Sequence, residues 1–162
     1  MITFPNCKIN LGLNILSKRD DGFHDLETVF YPVYLNDVLE ITPASDNKTE
    51  LTITGISTGR QSENLCMKVW NLLKKNYPKL PEVKMHLHKV IPLGAGLGGG
   101  SSDAAFILQL LNKKFNLNIP GEQLFGYALQ LGSDCPFFLT NKPCFATGRG
   151  EKIEPANISL SE

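Results

Sequence analysis

Apolar residues recur along this chain in two rhythms, every second residue over much of the first half and every third or fourth over much of the second. Residues 8–16, KINLGLNIL, alternate without a break: Ile9, Leu11, Leu13 and Ile15 share one face, and Lys8, Asn10, Gly12 and Asn14 the other. That predicts a strand with a polar second face. An Asp21-Gly22 turn signal follows, and residues 26–35, 38–41 and 50–54 have the composition of further strands. Helical spacing then takes over at Leu65, Val69, Leu72 and Leu73, predicting a helix over residues 64–77 with Ser62 as its N-cap and Pro78 and Pro81 to stop it. Alternation returns over residues 83–91, where Val83, Met85 and Leu87 oppose Lys84, His86 and His88 until Pro92. Ala104, Ile107, Leu108 and Leu111 define a helix over residues 101–114. A second follows over 122–131 with Gly132 as its C-cap. Ser133 and Asp134 form a tight turn before the apolar run CPFF, and residues 145–153 close the pattern as a β segment with Gly148 and Gly150 as turn residues.

One stretch follows neither rhythm. Five of the seven residues from Gly94 to Gly100 are glycine, a choice that forgoes on the order of 2 to 5 kcal/mol through the freedom it leaves the unfolded chain. The stretch joins a strand to a helix N-terminus, which offers unpaired N–H groups and about half a positive charge. Residues without side chains in front of such a terminus let a phosphate approach the backbone closely. A phosphate cradle is the leading reading.

Composition narrows the partners. Sixteen basic and sixteen acidic side chains give a net charge of zero over 162 residues, 42% of them apolar. One globular domain fits that size, and the basic footprint of a broad nucleic-acid binder is missing. No stretch approaches the roughly 20 apolar residues of a membrane helix, and the N-terminus lacks a signal-peptide pattern. Cys7, Cys66, Cys135 and Cys144 form no CxxC pair, so reduced thiols in a soluble cytoplasmic protein are expected.

Single residues suggest chemistry only weakly. Phe23 and His24 after the turn can stack on and hydrogen-bond a heterocycle, or simply be exposed. His86 and His88 read as a solvated face, since no third metal ligand lies nearby. Lys89 falls on the apolar parity at its strand's end, from which its ammonium can reach back over the glycine loop to a nucleotide. Asp134 reads most simply as the cap of the next turn. Gly94, Gly96 and Gly99 satisfy G-x-G-x-x-G, but the region near Leu117 is a helix-to-helix connection rather than the strand end a dinucleotide site requires. A Walker loop fails because Gly100 stands where its lysine would follow.

The remaining pattern, PxGxGLGGGSSDAA, resembles the glycine-rich phosphate-binding motif of the GHMP family of small-molecule kinases. PNCKINLGL resembles that family's PAKINL strand, DGFH its DGYH, and LGSDCPFF its LGADVPFF. The four motifs stand in the family's order over residues 5–151. The resemblance implies an α+β fold: a GHMP kinase N-terminal domain, with a mixed β-sheet packed against helices in a ribosomal-protein-like two-layer arrangement. It implies phosphoryl transfer from ATP to an alcohol, with Lys8 and Asp134 facing each other at the substrate hydroxyl. Gly94, Gly96, Leu97, Gly98, Gly99, Gly100, Ser101, Ser102 and Asp103 would hold the nucleotide together with Asn64 and Lys89, and Ser101 or Ser102, the latter first, would lie near Mg2+. Asn10, Phe23 and His24 would take the substrate, DGFH pointing to a cytosine ring and so to a cytidine diphosphate-linked methylerythritol.

The sequence departs from that pattern in places. Phe23 replaces the more usual tyrosine, which keeps the stacking face and loses a hydroxyl. Asn6, Cys7, Ser133 and Cys135 replace smaller or more apolar residues without an evident functional reason. Family members run about half again to twice this length and add a C-terminal domain, so residues 1–162 are expected to be an N-terminal domain, folded but poor at turnover alone. Two alternatives stay open: another GHMP kinase acting on homoserine, mevalonate or a sugar, and a non-enzymatic RNA-contacting module of similar architecture.

Overall fold

The computed structural model describes residues 1–57 and 63–160. In chain order the elements are β1 (Ile2–Thr3), β2 (Asn6–Lys18), β3 (His24–Asn36), β4 (Val38–Pro43), β5 (Glu50–Gly55), α1 (Leu65–Asn76), β6 (Val83–Lys89), α2 (Gly99–Lys114), α3 (Gly121–Leu131), α4 (Cys135–Thr140), β7 (Cys144–Gly148) and β8 (Lys152–Pro155). The strands form two four-stranded sheets packed against helices, in the orders β1-β4-β6-β5 and β2-β3-β7-β8, and the first of them is mixed as expected. In the first, β5 and β6 run parallel, a pairing that needs a crossover connection, and α1 supplies it. The second sheet is antiparallel throughout.

Helix α2 lies between two cores. Ala104, Ile107, Leu108 and Leu111 pack with Leu39, Ile41, Met85 and Leu87 of the first sheet and with Val69 and Leu73 of α1. Ala105, on another face, joins Phe30, Cys144 and Ala146 of the second sheet and Phe137 and Phe138 of α4. The three phenylalanines make a continuous aromatic contact, with ring centroids 5.3 Å and 4.9 Å apart. Each such ring, fully buried, contributes about 1.5–3 kcal/mol. The start of α2 is therefore fixed from both sides, and the glycine loop leads into it.

The alternation in β2 does not survive intact. A register shift against β3 between Asn10 and Leu13, with Gly12 at φ 76°, is a bulge that re-aims the strand. Leu13 and Ile15, expected in the core, are 52% and 66% exposed, whereas Lys8 on the face read as polar is only 5% exposed. The N-cap of α1 is Asn64, whose side chain accepts from the Cys66 amide; Ser62, expected in that role, lies outside the described residues. The closing β segment is a hairpin of β7 and β8 turning at residues 149–151, and the apolar run after Asp134 is the short helix α4.

Candidate active site

The glycine loop bounds a cavity of about 290 Å³ lined by Leu65 and by residues 92–101. A Cβ built on Gly94 or Gly96 would meet nothing within 4 Å, so the backbone on this side is open to a ligand. Gly98 is constrained differently. It sits at φ 68°, where L side chains are strained, and a Cβ there would stand 3.0 Å from the Phe138 ring and 3.2 Å from the Lys8 Cγ. This left-handed residue is the N-cap of α2 and makes no side-chain cap bond. The helix accordingly begins at Gly99, two residues before the expected Ser101, with its first amides directed at the loop.

Strand β2 ties the loop to Lys8 and its neighbours. The Lys8 amide donates to the Leu97 carbonyl at 3.0 Å. The Lys8 ammonium donates to Asn10 Oδ1 at 2.6 Å, lies 3.5 Å from Asp134 Oδ2, and stands 4.5 Å from the centre of the Phe30 ring. A buried ammonium is costly without such partners. Asn10 is itself oriented by donating to Thr28 Oγ1 at 2.9 Å. Asp134 makes no capping bond at the start of α4, so the simple capping role is replaced by pairing with Lys8. Its side chain is 31% exposed. The carboxylate therefore has one buried cationic neighbour and a side open to a substrate.

Asp134 also meets the β7–β8 turn. A Cβ on Gly150, at φ 100°, would lie 3.1 Å from the Phe30 ring and 3.6 Å from Asp134 Oδ1. The neighbouring Arg149 places its guanidinium 4.8 Å over the Phe23 ring. Phe23 and His24 are both exposed, at the end of the β2–β3 ribbon held by the Arg19 pairs to Asp21 and Asp25. Arg149 carried no distinguishing local signal, because the stretch TGRGE reads only as a turn.

Three expected ligand contacts need correction. Lys89 does not reach over the loop: it is 1% exposed beneath it, bonded to Asp37 and, at 2.8 Å, to Asp103 Oδ2. Asp103, expected at the nucleotide, is 2% exposed and faces the same interior. Burial pushes its carboxyl up to about 7 against the pull of Lys89, and Asp37 adds to the rise. Burial opposes the charge on Lys89, but Asp103 and Asp37 outweigh it and hold the ammonium above the ordinary lysine range. Ser102 is 0% exposed with an unpartnered Oγ, so it does not fit a metal ligand on the open side. No cluster of His, Cys, Asp or Glu among the described residues could hold a metal ion.

Asn64 caps α1 through Oδ1, beside the cavity that Leu65 lines. Ser101 lies on the cavity wall. The four cysteines are buried and free. Burial pushes Cys135 up to about 11, with Asp134 adding to the rise, which leaves this thiol next to the carboxylate protonated and a poor nucleophile. His86 and His88 are exposed and share the Thr54 hydroxyl, each at 2.9 Å.

An open glycine loop thus stands at a helix start beside a lysine and carboxylate pair. Residues 64–142 match the family described as GHMP kinases N terminal domain, and this stretch of the chain belongs to that family. Among its curated relatives is the 4-diphosphocytidyl-2-C-methyl-D-erythritol kinase of Bacteroides fragilis, 54% identical over 99% of this chain and 59% of its own length. The kinase of that name from Azobacteroides pseudotrichonymphae is 53% identical over 100% of the chain and 60% of its own length. A crystal structure of 4-(cytidine 5'-diphospho)-2C-methyl-D-erythritol kinase superposes with a TM-score of 0.83 at 36% identity, covering 98% of this chain and 56% of that one. Methanococcus jannaschii mevalonate kinase shares the fold at a TM-score of 0.71 and 13% identity, over 97% of this chain and 56% of its own. The chain thus spans about 59% of the length of the curated relatives it matches. Those relatives and fold neighbours are kinases of small molecules, the class that takes its phosphate from ATP.

Proposed function

We propose that this chain is the N-terminal, catalytic domain of an enzyme that phosphorylates the 2-hydroxyl of 4-diphosphocytidyl-2-C-methyl-D-erythritol from ATP, a step toward isoprenoids. The observation that carries the reading is the Lys8–Asp134 pair, 3.5 Å apart, tied through the Lys8 amide to the glycine loop. The loop and the first amides of α2 would receive ATP's phosphates. Magnesium accompanying ATP would be carried by phosphate oxygens and water rather than by side chains of this domain. The cytosine would stack on Phe23 beside His24. Among alcohols of this family's substrates, a cytidine-linked one suits an exposed phenylalanine and imidazole side by side.

Asp134 does not have to make a free alkoxide. An alcohol about as acidic as water stands about 12 pKa units above an aspartic acid, and full prior deprotonation would cost roughly 16 kcal/mol at 1.36 kcal/mol per unit. The proton instead leaves late, in a loose transition state whose charge sits on the transferring phosphoryl oxygens. Asp134 accepts it, while the Lys8 ammonium beside it offsets the developing charge. Asn10 and the Phe30 ring hold the ammonium in place.

Asp134→Asn keeps the shape and removes the base. In the intact gene product it is expected to lower kcat at least ~100-fold with ATP affinity retained. A near-normal kcat would move the base elsewhere. As an N-terminal domain that leaves Phe23 and His24 exposed, residues 1–162 alone are expected to fold and turn over poorly. Four free, buried cysteines support a cytoplasmic setting, and a net charge of zero weighs against an RNA-contacting module.

A further inference from the structure

Beneath the glycine loop lies a buried cluster with no contact to the open cavity. Asp37, between β3 and β4, is 0% exposed. Its Oδ1 accepts from the Val90 amide at 2.6 Å and the Ile91 amide at 2.8 Å, and its Oδ2 accepts from the Lys89 ammonium. Lys89 makes its second bond to Asp103 in the second turn of α2. A Cβ on Gly99 would stand 3.0 Å from Lys89 Nζ and 2.8 Å from Ile91 Cγ2, so the first residue of α2 rests directly on the cluster. The Lys89 carbonyl is held too, accepting from the Ile56 amide at 2.9 Å.

These bonds join the two points between which residues 92–98 are strung. Asp37 fastens the chain where it leaves β6, and Asp103 fastens it where it enters α2. The glycines between have no side chains with which to hold themselves, and the backbone is tied near its end, Leu97 to β2 and Gly98 to the Ser102 amide of α2. Stability alone is a poor reason for such a cluster, because apolar residues of similar volume commonly serve as well as a buried ion pair or better. Directed bonds do what apolar packing does not: they fix the relative placement of strand end and helix start.

We infer that Asp37, Lys89 and Asp103 are positioning residues, which set the loop and the first amides of α2 for ATP's phosphates without touching the nucleotide. The inference rests on the reading of this loop as the phosphate site. Its effect falls on ATP and not on the alcohol, whose base is held at Phe23 on the other sheet's turn.

The test uses the intact gene product, with calorimetric titration of a non-hydrolysable ATP analogue, thermal midpoints, and KM for ATP and for the cytidine-linked alcohol. The triple variant Asp37→Asn/Lys89→Met/Asp103→Leu removes all three charges and keeps an amide oxygen at position 37 for the Val90 and Ile91 amides. It is expected to keep its thermal midpoint within a few degrees of wild type yet bind the analogue at least tenfold more weakly, with KM for the alcohol within twofold. Asp103→Asn, nearly isosteric, carries the test if the triple variant fails to fold. It is expected to weaken the analogue at least threefold with the same KM for the alcohol. Wild-type affinity for the analogue in a folded variant of either kind would overturn the inference, as would equal shifts in both KM values. Wild-type protein that binds no analogue would instead reject the phosphate reading of the loop.

Discussion

The floor of the glycine loop and the aromatic platform at the β2–β3 turn are built by opposite means. Beneath the loop every charged group is buried and paired, with Lys89 at 1% and Asp37 at 0% exposed. At the platform Phe23 is 50% exposed, and the charges around it, Arg19, Asp21 and Asp25, meet in pairs at the surface. The loop's floor is held by bonds made within this domain, rigid because moving it would strand buried charge. The platform offers one face of a sandwich. Under the proposed function, the loop side would orient a triphosphate and the platform would need further covering groups to hold a base.

Breaking the seat of the glycine loop on β2 should cost most. Gly98→Val puts a branched side chain at φ 68° against the Phe138 ring and the Lys8 stem. Left-handed strain alone costs about 1–3 kcal/mol, and displacing Lys8 adds a catalytic loss. Turnover of the intact protein should fall below detection, alongside a clear drop in thermal midpoint; a variant with normal kcat would mean that the loop's approach to β2 is not required. Breaking the platform should cost less and differently. Phe23→Ala removes a stacking face worth about 1–3 kcal/mol per base, so KM for the cytidine substrate should rise roughly tenfold or more while KM for ATP stays put. Parallel rises in both would erase the division between the two regions.

How far the sequence foretold this differs between the same two regions. The meeting of Lys8 with Asp134 and the place of Phe23 and His24 just after a turn were readable, because DGFH, KINL and LGSDCPFF are short contiguous runs. The floor was not. Asp37 sits in an unremarkable strand junction, and its partners Lys89, Val90 and Ile91 are 52 to 54 residues away. Parity correctly marked Lys89 as inward-facing, but a lysine at an apolar position suggested a side chain reaching out, since the carboxylates that make burial tolerable belong to other elements. The bulge at Gly12 likewise depends on pairing with β3, so local alternation put Leu13 and Ile15 in the core. Helix α4 is too short to show a period. Among the unexplained departures, Asn6 has a structural use: its Oδ1 accepts from Asn141 at 2.7 Å, joining β2 to the end of α4.

Acidity separates the regions further. Asp103 in the folded floor titrates near 7, above its ordinary value of 3.8. The folded protein therefore binds a proton that the unfolded chain releases, and this group's contribution to stability is full below about pH 4 and is lost as pH rises through about 7. Asp21 and Asp25 are shifted downward by their bonds to Arg19, so what they contribute is present above the ordinary carboxylate range and lost on acidification. Denaturant midpoints from pH 4 to 8 should fall in wild type relative to Asp103→Asn. An identical profile in the two would place the titrating proton elsewhere. The smallest effect belongs to Arg19→Ala, whose pairs are solvent-screened. It should leave the thermal midpoint almost unchanged at moderate salt, and a large fall would show that the ribbon's tip is more rigid than its exposure implies.

The division of labour finally rests on what the intact protein phosphorylates. The decisive measurement offers it 4-diphosphocytidyl-2-C-methyl-D-erythritol, homoserine and mevalonate in parallel with ATP and compares kcat/KM. The reading predicts a preference of at least ~100-fold for the cytidine-linked alcohol, in keeping with a site that pairs hydrogen bonds and stacking to one base. Comparable rates on all three, or a preference for either cytidine-free alcohol, would contradict it.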